Sequence, residues 1–310
     1  MMHTRISTVA LDADDTLWRN EILFALSQDR FVDLLKSYHD EGWIRARLNE
    51  TEMKNLEIFG YEVKGFVLSM IETAIELTEG RIRGEELQVL IQSGKEMLRA
   101  PIEPLPQVRE TLSVLAASYR LVVIPKGDLL DQESKIARSG LGMHFQHIEV
   151  LSKRDVISYR RLLDRLGIAP GEFLMVGNSL RSDILPVLDL GGWAVHVPYK
   201  GSWAHEDVEP EVLAGYDFPV IAHLGGLPEI LADLDQLLIL LSADGGGVTA
   251  IQDVPPIDEE LVDLRLIPVE QVLGDGRVRV RNPVQDRVLE SPNRILGVAR
   301  RSHGNRIDDL

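Results

Sequence analysis

Short runs of consecutive apolar residues alternate with segments of helical length through most of this chain. The runs are continuous instead of switching between apolar and polar residues, which is the pattern of parallel strands buried on both faces of a sheet. Strands and helices in this order predict an α/β fold, a doubly wound (Rossmann-like) parallel sheet with helices on both faces. The predicted strands are residues 8–11, 120–124, 147–151, 172–177, 193–197 and 218–224, and the predicted helices between the later strands are residues 108–118, 130–139, 156–167 and 183–190.

One connection in this pattern is much longer than a crossover helix requires. Residues 18–100 separate the first strand from the segment that leads to the second, and we expect them to form an inserted helical bundle. Its clearest helix carries apolar residues at the spacing of one helical face: Val63, Phe66, Val67, Met70, Ile71 and Ala74. Pro101, Pro104 and Pro106 then end the insert, since proline cannot continue a helix. The bundle is expected to lie over the carboxyl end of the first strand, where open α/β sheets hold their ligand sites.

The charge and composition of the chain exclude several classes of function. A formal net charge of -16 argues against nucleic acid or an anionic membrane surface as the main partner, since both would be repelled. The chain has no cysteine, so disulfides and thiolate metal sites are ruled out, in agreement with a reducing cytoplasm. The segment MMHTRIST has no apolar signal sequence, and no run approaches the roughly 20 apolar residues of a membrane span. We therefore expect a cytoplasmic protein.

The composition changes near the C-terminal part of the sequence. Residues 242–256 are rich in glycine and typical of a linker, and the alternation and Gly-Asp-Gly turn that follow predict a short β hairpin. We expect a core domain of residues 1–17 and 101–238, a cap of residues 18–100, and a linker with a small C-terminal extension at 239–310. The extension either docks on the main domain or on a second subunit, which leaves a homo-oligomer open, or forms a disordered tail.

Acidic and hydroxyl side chains follow the first predicted strand directly. Asp12 and Asp14 are separated by one residue, and Thr16 comes two residues later. Two carboxylates this close repel unless a cation lies between them, and oxygen ligands are those that Mg²⁺ prefers. A metal beside such carboxylates suggests phosphoryl chemistry, in which one aspartate is the nucleophile and the other moves a proton. By itself, the motif is equally typical of a solvated acidic turn.

The order of the later motifs favours the chemical interpretation. LDADDTL, the helical insert, VVIPKGD, LSKRD and GNSLRSD resemble, in order and spacing, the haloacid dehalogenase (HAD) superfamily over residues 6 to about 225. The resemblance implies that Asp12 is the nucleophile and Asp14 the general acid/base. It also implies a Mg²⁺ site made by the Asp12 carboxylate, the Asp14 backbone carbonyl, Asn178 and Asp183, and it identifies the insert as a C1 cap. Members of the superfamily that dehalogenate carbon substrates lack the second aspartate, so Asp14 points to a phosphatase.

Two motifs depart from the pattern of that superfamily. Pro125 stands where a Thr or Ser is expected, so a hydroxyl and a backbone N–H are missing, and Lys126 would have to contact the phosphoryl group. Loss of one such donor typically lowers an enzyme rate by about 10²–10³. The lysine of the third motif corresponds to Arg154, with Lys153 one residue earlier, and arginine keeps the charge with a different geometry.

The resulting prediction is a Mg²⁺-dependent phosphohydrolase that acts on a small phosphomonoester through an aspartyl-phosphate intermediate. Thr16, Lys126, Arg154 and Lys153 are its predicted phosphate-binding residues, and a small phosphorylated metabolite is its expected partner. The alternative is a HAD-like protein with little or no turnover that serves in binding or assembly, as Pro125 and Arg154 suggest. Phosphotransferase or phosphonatase activity is a third alternative.

Overall fold

The computed structural model describes residues 5–199 and 208–243, and its centre is a five-stranded parallel sheet. The strands are β1 (Thr8–Leu11), β2 (Arg120–Val123), β3 (His147–Ile148), β4 (Phe173–Gly177) and β5 (Trp193–His196). They lie in the order β3-β2-β1-β4-β5, and every neighbouring pair is parallel. This arrangement confirms the predicted doubly wound α/β fold and places β1 at the centre of the sheet.

Two of the predicted strands differ from the structure. The third is shorter than expected, because only His147 and Ile148 of residues 147–151 form a strand. The prediction of a strand over residues 218–224 is wrong, since a single parallel bridge joins Val220 to His196. Pro219 has no N–H for a ladder and is suited only to the edge of a sheet. The apolar character of this segment serves packing instead, because Ile221 and Leu224 are buried in the core.

The long connection after β1 contains four helices, as its apolar pattern predicts. These are α1 (Glu21–Leu35), α2 (Glu41–Phe59), α3 (Val63–Leu77) and α4 (Gly84–Arg99). They pack around an apolar cluster of their own, in which Phe31, Ile44, Met70 and Leu90 are almost fully buried. The insert is therefore a bundle with its own hydrophobic core, and it begins a few residues after Asp12.

Six further helices complete the described chain: α5 (Val108–Leu115), α6 (Leu129–Ser139), α7 (Val156–Leu166), α8 (Leu185–Asp189), α9 (Pro210–Leu213) and α10 (Leu227–Ala243). Successive residues of a strand point to opposite faces of the sheet. Accordingly, Val9 and Leu11 pack in the cluster that includes residues of α5, α6 and α10, whereas Ala10 packs with residues of α7 and α8. Both faces of the sheet are thus covered, which explains why the strands are continuously apolar.

The last described helix, α10, confirms the helix predicted at residues 227–238. Its Asp235 carboxylate accepts hydrogen bonds from the Arg5 guanidinium at 3.1 Å and from the Tyr119 hydroxyl at 3.0 Å. The predicted linker and β hairpin fall in residues 244–310, outside the part of the chain that the structure describes. None of the helices at residues 5–199 and 208–243 has both the length and the hydropathy of a membrane span.

Candidate active site

The predicted functional motifs meet at the carboxyl edge of the sheet, around the end of β1. The backbone N–H of Asp12 donates to the Val176 carbonyl of β4 at 2.8 Å, and the N–H of Ile124, after β2, donates to the Leu11 carbonyl at 2.8 Å. The ends of three adjacent parallel strands are therefore aligned by backbone hydrogen bonds. Asn178 directly follows β4, so it lies at the same edge as Asp12, where α/β proteins of this topology bind ligands.

Asp12 is buried and is paired with Arg154. A guanidinium nitrogen of Arg154, Nη1, lies 2.5 Å from Asp12 Oδ1 and 2.7 Å from Asp183 Oδ1, and it donates to the Ile124 carbonyl at 3.1 Å. Burial raises the pKa of Asp12, although the Arg154 charge opposes that shift. Arg154 of the third motif thus contacts both Asp12, the proposed nucleophile, and Asp183 of the fourth motif, although the three residues lie far apart in the sequence.

The second carboxylate oxygen of Asp12 lies beside two further predicted residues. Thr16 Oγ1 donates to Asp12 Oδ2 at 3.2 Å and lies 3.4 Å from Asn178 Oδ1. Carboxylate, hydroxyl and amide oxygens therefore converge at one point, and oxygen donors of this kind are those that Mg²⁺ prefers. The structure brings Asp12, Thr16 and Asn178 together as the motif order predicts.

Asp183 is held at this site by the backbone that follows β4. Its Oδ2 accepts a hydrogen bond from the Ser179 N–H at 3.0 Å, and the residue is fully buried. A Cβ atom on Gly177 would lie 2.2 Å from Asp183 Oδ2, so only glycine lets this carboxylate approach the end of the strand. The fourth motif therefore needs glycine at position 177 for a steric reason.

Asp14 has a different set of neighbours from Asp12. Both of its carboxylate oxygens lie 3.1 Å from Lys135 Nζ, and they accept hydrogen bonds from Trp18 Nε1 at 2.7 Å and Gln132 Nε2 at 2.6 Å. Burial acts to raise the pKa of Asp14, but Lys135 and these hydrogen bonds outweigh it and lower the pKa. Asp14 is therefore held in its ionised form.

Lys135 and Gln132 were not among the residues predicted for the site. They lie three positions apart on the buried face of α6, which carries Ile136 toward the core. The sequence did contain one indication of their role: Lys135 lies beside the apolar positions of an amphipathic helix. A lysine that is buried is rarely found without an acidic partner. Its carboxylate partners come from other parts of the chain and could not be identified from periodicity.

A third unpredicted residue, Glu62, reaches the site from the connection between α2 and α3. Its Oε2 accepts from Lys135 Nζ at 3.0 Å, and its Oε1 accepts from Gln132 Nε2 at 2.7 Å. Glu62 has a backbone φ of 93°, which is uncommon for a residue with a side chain. A Cβ on Gly127 would lie 2.3 Å from Glu62 Cγ, so Gly127 leaves the space that Glu62 fills. The inserted bundle therefore contributes a carboxylate to the proposed active site.

Asp15 connects the same turn to the first helix of the insert. Its backbone φ is 60°, and its carboxylate accepts from the N–H groups of Asn20 at 2.9 Å and Glu21 at 3.1 Å. Burial raises the pKa of Asp15 to about 7, in spite of these hydrogen bonds. Asp15 thus satisfies free N–H groups at the start of α1, a role that carboxylates commonly take at helix N-termini.

The two predicted lysines lie in different surroundings. Lys126 Nζ donates to Ser182 Oγ at 3.0 Å and lies 3.7 Å from the centre of the Tyr61 ring, so it joins the core to the insert beside the site. The structure does not bring Lys153 to this group, since its side chain is 80% exposed and its ammonium lies 3.7 Å from Asp155. The buried position in that motif is taken by Arg154, one residue later.

Comparisons with known proteins agree with the α/β fold. Residues 6–191 match the sequence profile of a family described as haloacid dehalogenase-like hydrolase. A solved structure of a haloacid dehalogenase-like family hydrolase from Xanthomonas campestris has a TM-score of 0.68 and 39% identity to this chain. The likeness covers 76% of this chain and 94% of that one.

Two curated relatives carry the name glyceraldehyde 3-phosphate phosphatase. The protein of Methanothermobacter thermautotrophicus is 33% identical over 159 residues, which cover 48% of this chain and 69% of the relative. The protein of Pyrococcus furiosus is 28% identical over 152 residues, which cover 47% of this chain and 58% of the relative. Since the family profile spans more than half of the sequence, the chain belongs to the haloacid dehalogenase-like family and is a hydrolase.

Proposed function

We propose that this hydrolase is a Mg²⁺-dependent phosphatase that acts on a small phosphomonoester through an aspartyl-phosphate at Asp12. The observation that carries the proposal is the presence of two carboxylates, buried Asp12 and partly buried Asp14, two residues apart and each beside a different cation. Arg154 accompanies Asp12, and Lys135 accompanies Asp14. The names of the two phosphatase relatives support the same reaction class.

Asp12 is suited to be the nucleophile because only one of its oxygens is bound to Arg154. In the first step its Oδ2, which now accepts a hydrogen bond from Thr16, forms a bond to phosphorus, and the bond from phosphorus to the leaving oxygen breaks. Arg154 fixes the orientation of the carboxylate through Oδ1. In the second step water attacks the aspartyl-phosphate and restores Asp12.

Asp14 is suited to move the proton in both steps. The ionised form that Lys135 stabilises can remove a proton from water in the second step. In the first step Asp14 must carry a proton for the leaving oxygen. A phosphoryl dianion beside Asp14 opposes the field of Lys135 and raises the pKa of the carboxyl group, so substrate binding favours the protonated form.

The oxygen donors at this edge are of the kind that a magnesium ion prefers, although Arg154 Nη1 lies 2.5 Å from Asp12 Oδ1 and 2.7 Å from Asp183 Oδ1, so a metal would share these two carboxylates with a guanidinium. The Asp12 carboxylate, the Asp14 backbone carbonyl, Asn178 and Asp183 would hold it. No group of three or more His, Asp or Glu with a metal-binding arrangement occurs within residues 5–199 and 208–243, so this site depends on the amide and the backbone carbonyl as well as two carboxylates. When bound, Mg²⁺ would offset the repulsion between Asp12 and the phosphoryl group.

In the same proposal, residues 18–100 act as a C1 cap on a core of residues 1–17 and 101–238. Glu62, on the connection between α2 and α3, supports this assignment because it links the insert to Lys135 and Gln132 of the core. Closure of the cap would exclude water from the first step while the leaving group is still bound.

A second candidate function is binding without efficient turnover, and Pro125 favours it. Pro125 offers no N–H to a phosphoryl oxygen, and its carbonyl accepts a hydrogen bond from the Leu151 N–H at 3.0 Å. The ammonium of Lys126, the next residue, could replace this donor, but it lies against Ser182 and Tyr61. Comparison of the wild type with Pro125→Thr separates the two functions, because a large gain in turnover would support the binding role.

Phosphate release from p-nitrophenyl phosphate, measured with Mg²⁺ and with EDTA, tests the main proposal. We expect turnover by the wild type with Mg²⁺, little turnover with EDTA, and none by Asp12→Asn. Equal rates for the wild type and Asp12→Asn would remove Asp12 as nucleophile. A rate that does not depend on the metal would remove Mg²⁺ from the proposal.

A further inference from the structure

A pocket of about 150 Å³ lies between helices α1, α2 and α3 of the insert. Its walls include the aromatic rings of Phe24, Tyr61 and Phe66 and the carboxyl groups of Glu21 and Glu52. Asn20 and Glu62 line its end nearest the core. A pocket of this volume has room for a small organic group and not only for a single water molecule.

The pocket is linked to the proposed acid/base through Lys135 and Gln132, which both contact Asp14 and Glu62. Asn20 Oδ1 and Glu62 Oε2 accept from Lys135 Nζ at 3.1 Å and 3.0 Å, and the same nitrogen lies 3.1 Å from both oxygens of Asp14. Asp14 is the group that would protonate the leaving oxygen. Two residues that line the pocket therefore contact the lysine that holds Asp14.

Positive and negative groups lie at different ends of the pocket. Lys135 contacts Asn20 and Glu62, and Lys126 contacts Tyr61, so both cations lie at the end nearest the core. The described side chains that line the pocket include three glutamates and no lysine, arginine or histidine. The pocket is therefore cationic toward the phosphoryl site and acidic elsewhere.

Two of these glutamates have no counter-charge. Within the described part of the chain, the carboxyl groups of Glu21 and Glu52 make no hydrogen bond or ion pair, whereas Glu62 is bound by Lys135 and Gln132. Burial raises the pKa of Glu52 to about 8, with Glu21 adding to the shift, and burial raises the pKa of Glu21 to about 7. Glu21 and Glu52 are partly buried, so their carboxyl groups are more costly to ionise than in water, and a cation placed beside them reduces that cost.

We propose that this pocket binds the leaving group of the substrate and that this group carries an ammonium, so that the substrate is a small aminoalkyl phosphate. The inference rests on the proposed phosphatase function and adds the substrate class. An ammonium would be stabilised by Glu21 and Glu52 and by the aromatic faces of Phe24 and Phe66. A carboxylate in the same place would meet acidic groups and no cation, so carboxylated phosphates are rejected.

Three phosphomonoesters that differ at one group provide the test. O-phosphoethanolamine, 2-hydroxyethyl phosphate and phosphoglycolate carry an ammonium, a hydroxyl and a carboxylate on the same two-carbon frame. We expect kcat/KM to fall in that order, by about tenfold from ammonium to hydroxyl, since a hydrogen bond to a charged group is stronger than a neutral one. Equal values, or a preference for phosphoglycolate, would overturn the inference.

Substitutions of single pocket residues show which groups cause the preference for an ammonium. Glu52→Gln is expected to reduce the ratio of kcat/KM for O-phosphoethanolamine to that for 2-hydroxyethyl phosphate several-fold. Glu57→Gln, an exposed change on the same helix, is the matched control and should keep the wild-type ratio. If Glu52→Gln keeps the ratio as well, Glu52 does not recognise the substrate and the proposed basis of selection is wrong.

Binding to Asp12→Asn separates this inference from the proposed function. Calorimetry on that variant should give the tightest binding for O-phosphoethanolamine and the weakest for phosphoglycolate, whether or not the wild type turns over any phosphomonoester. Failure of p-nitrophenyl phosphate hydrolysis would then contradict the phosphatase proposal alone. Equal affinities of the three ligands would contradict the ammonium pocket alone.

Discussion

Lys135 places its ammonium nitrogen 3.1 Å from each carboxylate oxygen of Asp14. The same nitrogen contacts Glu62 of the insert, so a single buried lysine joins the core to the bundle above it. Asp12, two residues before Asp14, is paired with Arg154 instead. Two aspartates close in sequence therefore have separate cationic partners, and this difference supports the separate roles of nucleophile and acid/base that we propose for them.

Replacement of Lys135 by methionine should change the pH dependence of turnover. Because the Lys135 charge lowers the pKa of Asp14, its removal raises that pKa. p-Nitrophenolate leaves without a proton, so with this substrate Asp14 acts as a base and must be ionised. The acidic limb of the kcat profile should therefore move to higher pH.

Lys135→Arg serves as the control for this experiment, because it keeps the positive charge. Its acidic limb should stay closer to that of the wild type. An acidic limb that is the same in Lys135→Met and the wild type would show that Lys135 does not tune the proton-transferring group. Circular dichroism at each pH would show that the variants remain folded over the range used.

Replacement of Arg154 by methionine should destabilise the protein and abolish turnover. Arg154 is buried between Asp12 and Asp183, and removal of one partner from a buried ion pair typically costs about 3–5 kcal/mol. Urea unfolding of the wild type and the variant measures the change in the free energy of unfolding. Lys153→Met is the matched control, since the Lys153 side chain is 80% exposed, and it should leave stability and activity almost unchanged.

The opposite result would also be informative for the third motif. If Lys153→Met lost activity and Arg154→Met kept it, the phosphate-binding group would be Lys153. Arg154 would then not be needed to hold Asp12 and Asp183 in their active positions. Arg154→Lys should recover part of the stability, because lysine retains the charge but not the fork of donors.

Replacement of Gly177 by alanine should reduce both stability and turnover. The added Cβ would lie 2.2 Å from Asp183 Oδ2, so Asp183 or the end of β4 must shift. Overpacking of this kind typically costs about 1–3 kcal/mol. Gly84→Ala is the control, because nothing lies within 4 Å of its added Cβ, and thermal unfolding should show it to be as stable as the wild type or more so. Equal melting temperatures of Gly177→Ala and the wild type would contradict the steric explanation.

The parts of the fold that were predicted correctly are those set by local pattern. Continuous apolar runs mark β1, β2 and β4 because both faces of the sheet are covered, and the turn at Asp12 follows β1 directly. Glu62 and Lys135 were missed for a different reason. Their contact joins a connection within the insert to the buried face of α6, and periodicity indicates the buried face of each helix without indicating which faces meet.

The strand predicted near Phe218 illustrates the converse error. Its residues are as apolar as those of a strand, but they pack on the core from the edge of the sheet, and Pro219 prevents a continuous ladder. The sequence pattern predicted no role for Asp15, although its carboxylate binds the N–H groups at the start of α1. Such a role depends on the backbone conformation at a single residue, which the sequence pattern does not indicate.

Glu52 provides a test of the pocket that does not depend on turnover. Burial raises its pKa from 4.5 to about 8, so between these values the folded protein holds a proton that the unfolded chain releases. The folded state therefore loses stability relative to the unfolded state as the pH rises through this window. Glutamine cannot ionise, so Glu52→Gln should gain stability relative to the wild type between pH 5 and pH 8, as measured by urea unfolding at each pH.

Glu57→Gln, at an exposed position of the same helix, should follow the wild type throughout. A difference between Glu52→Gln and the wild type that stays constant with pH would show that the Glu52 carboxyl is already solvated or paired, and it would remove the unmatched acid on which ammonium binding depends.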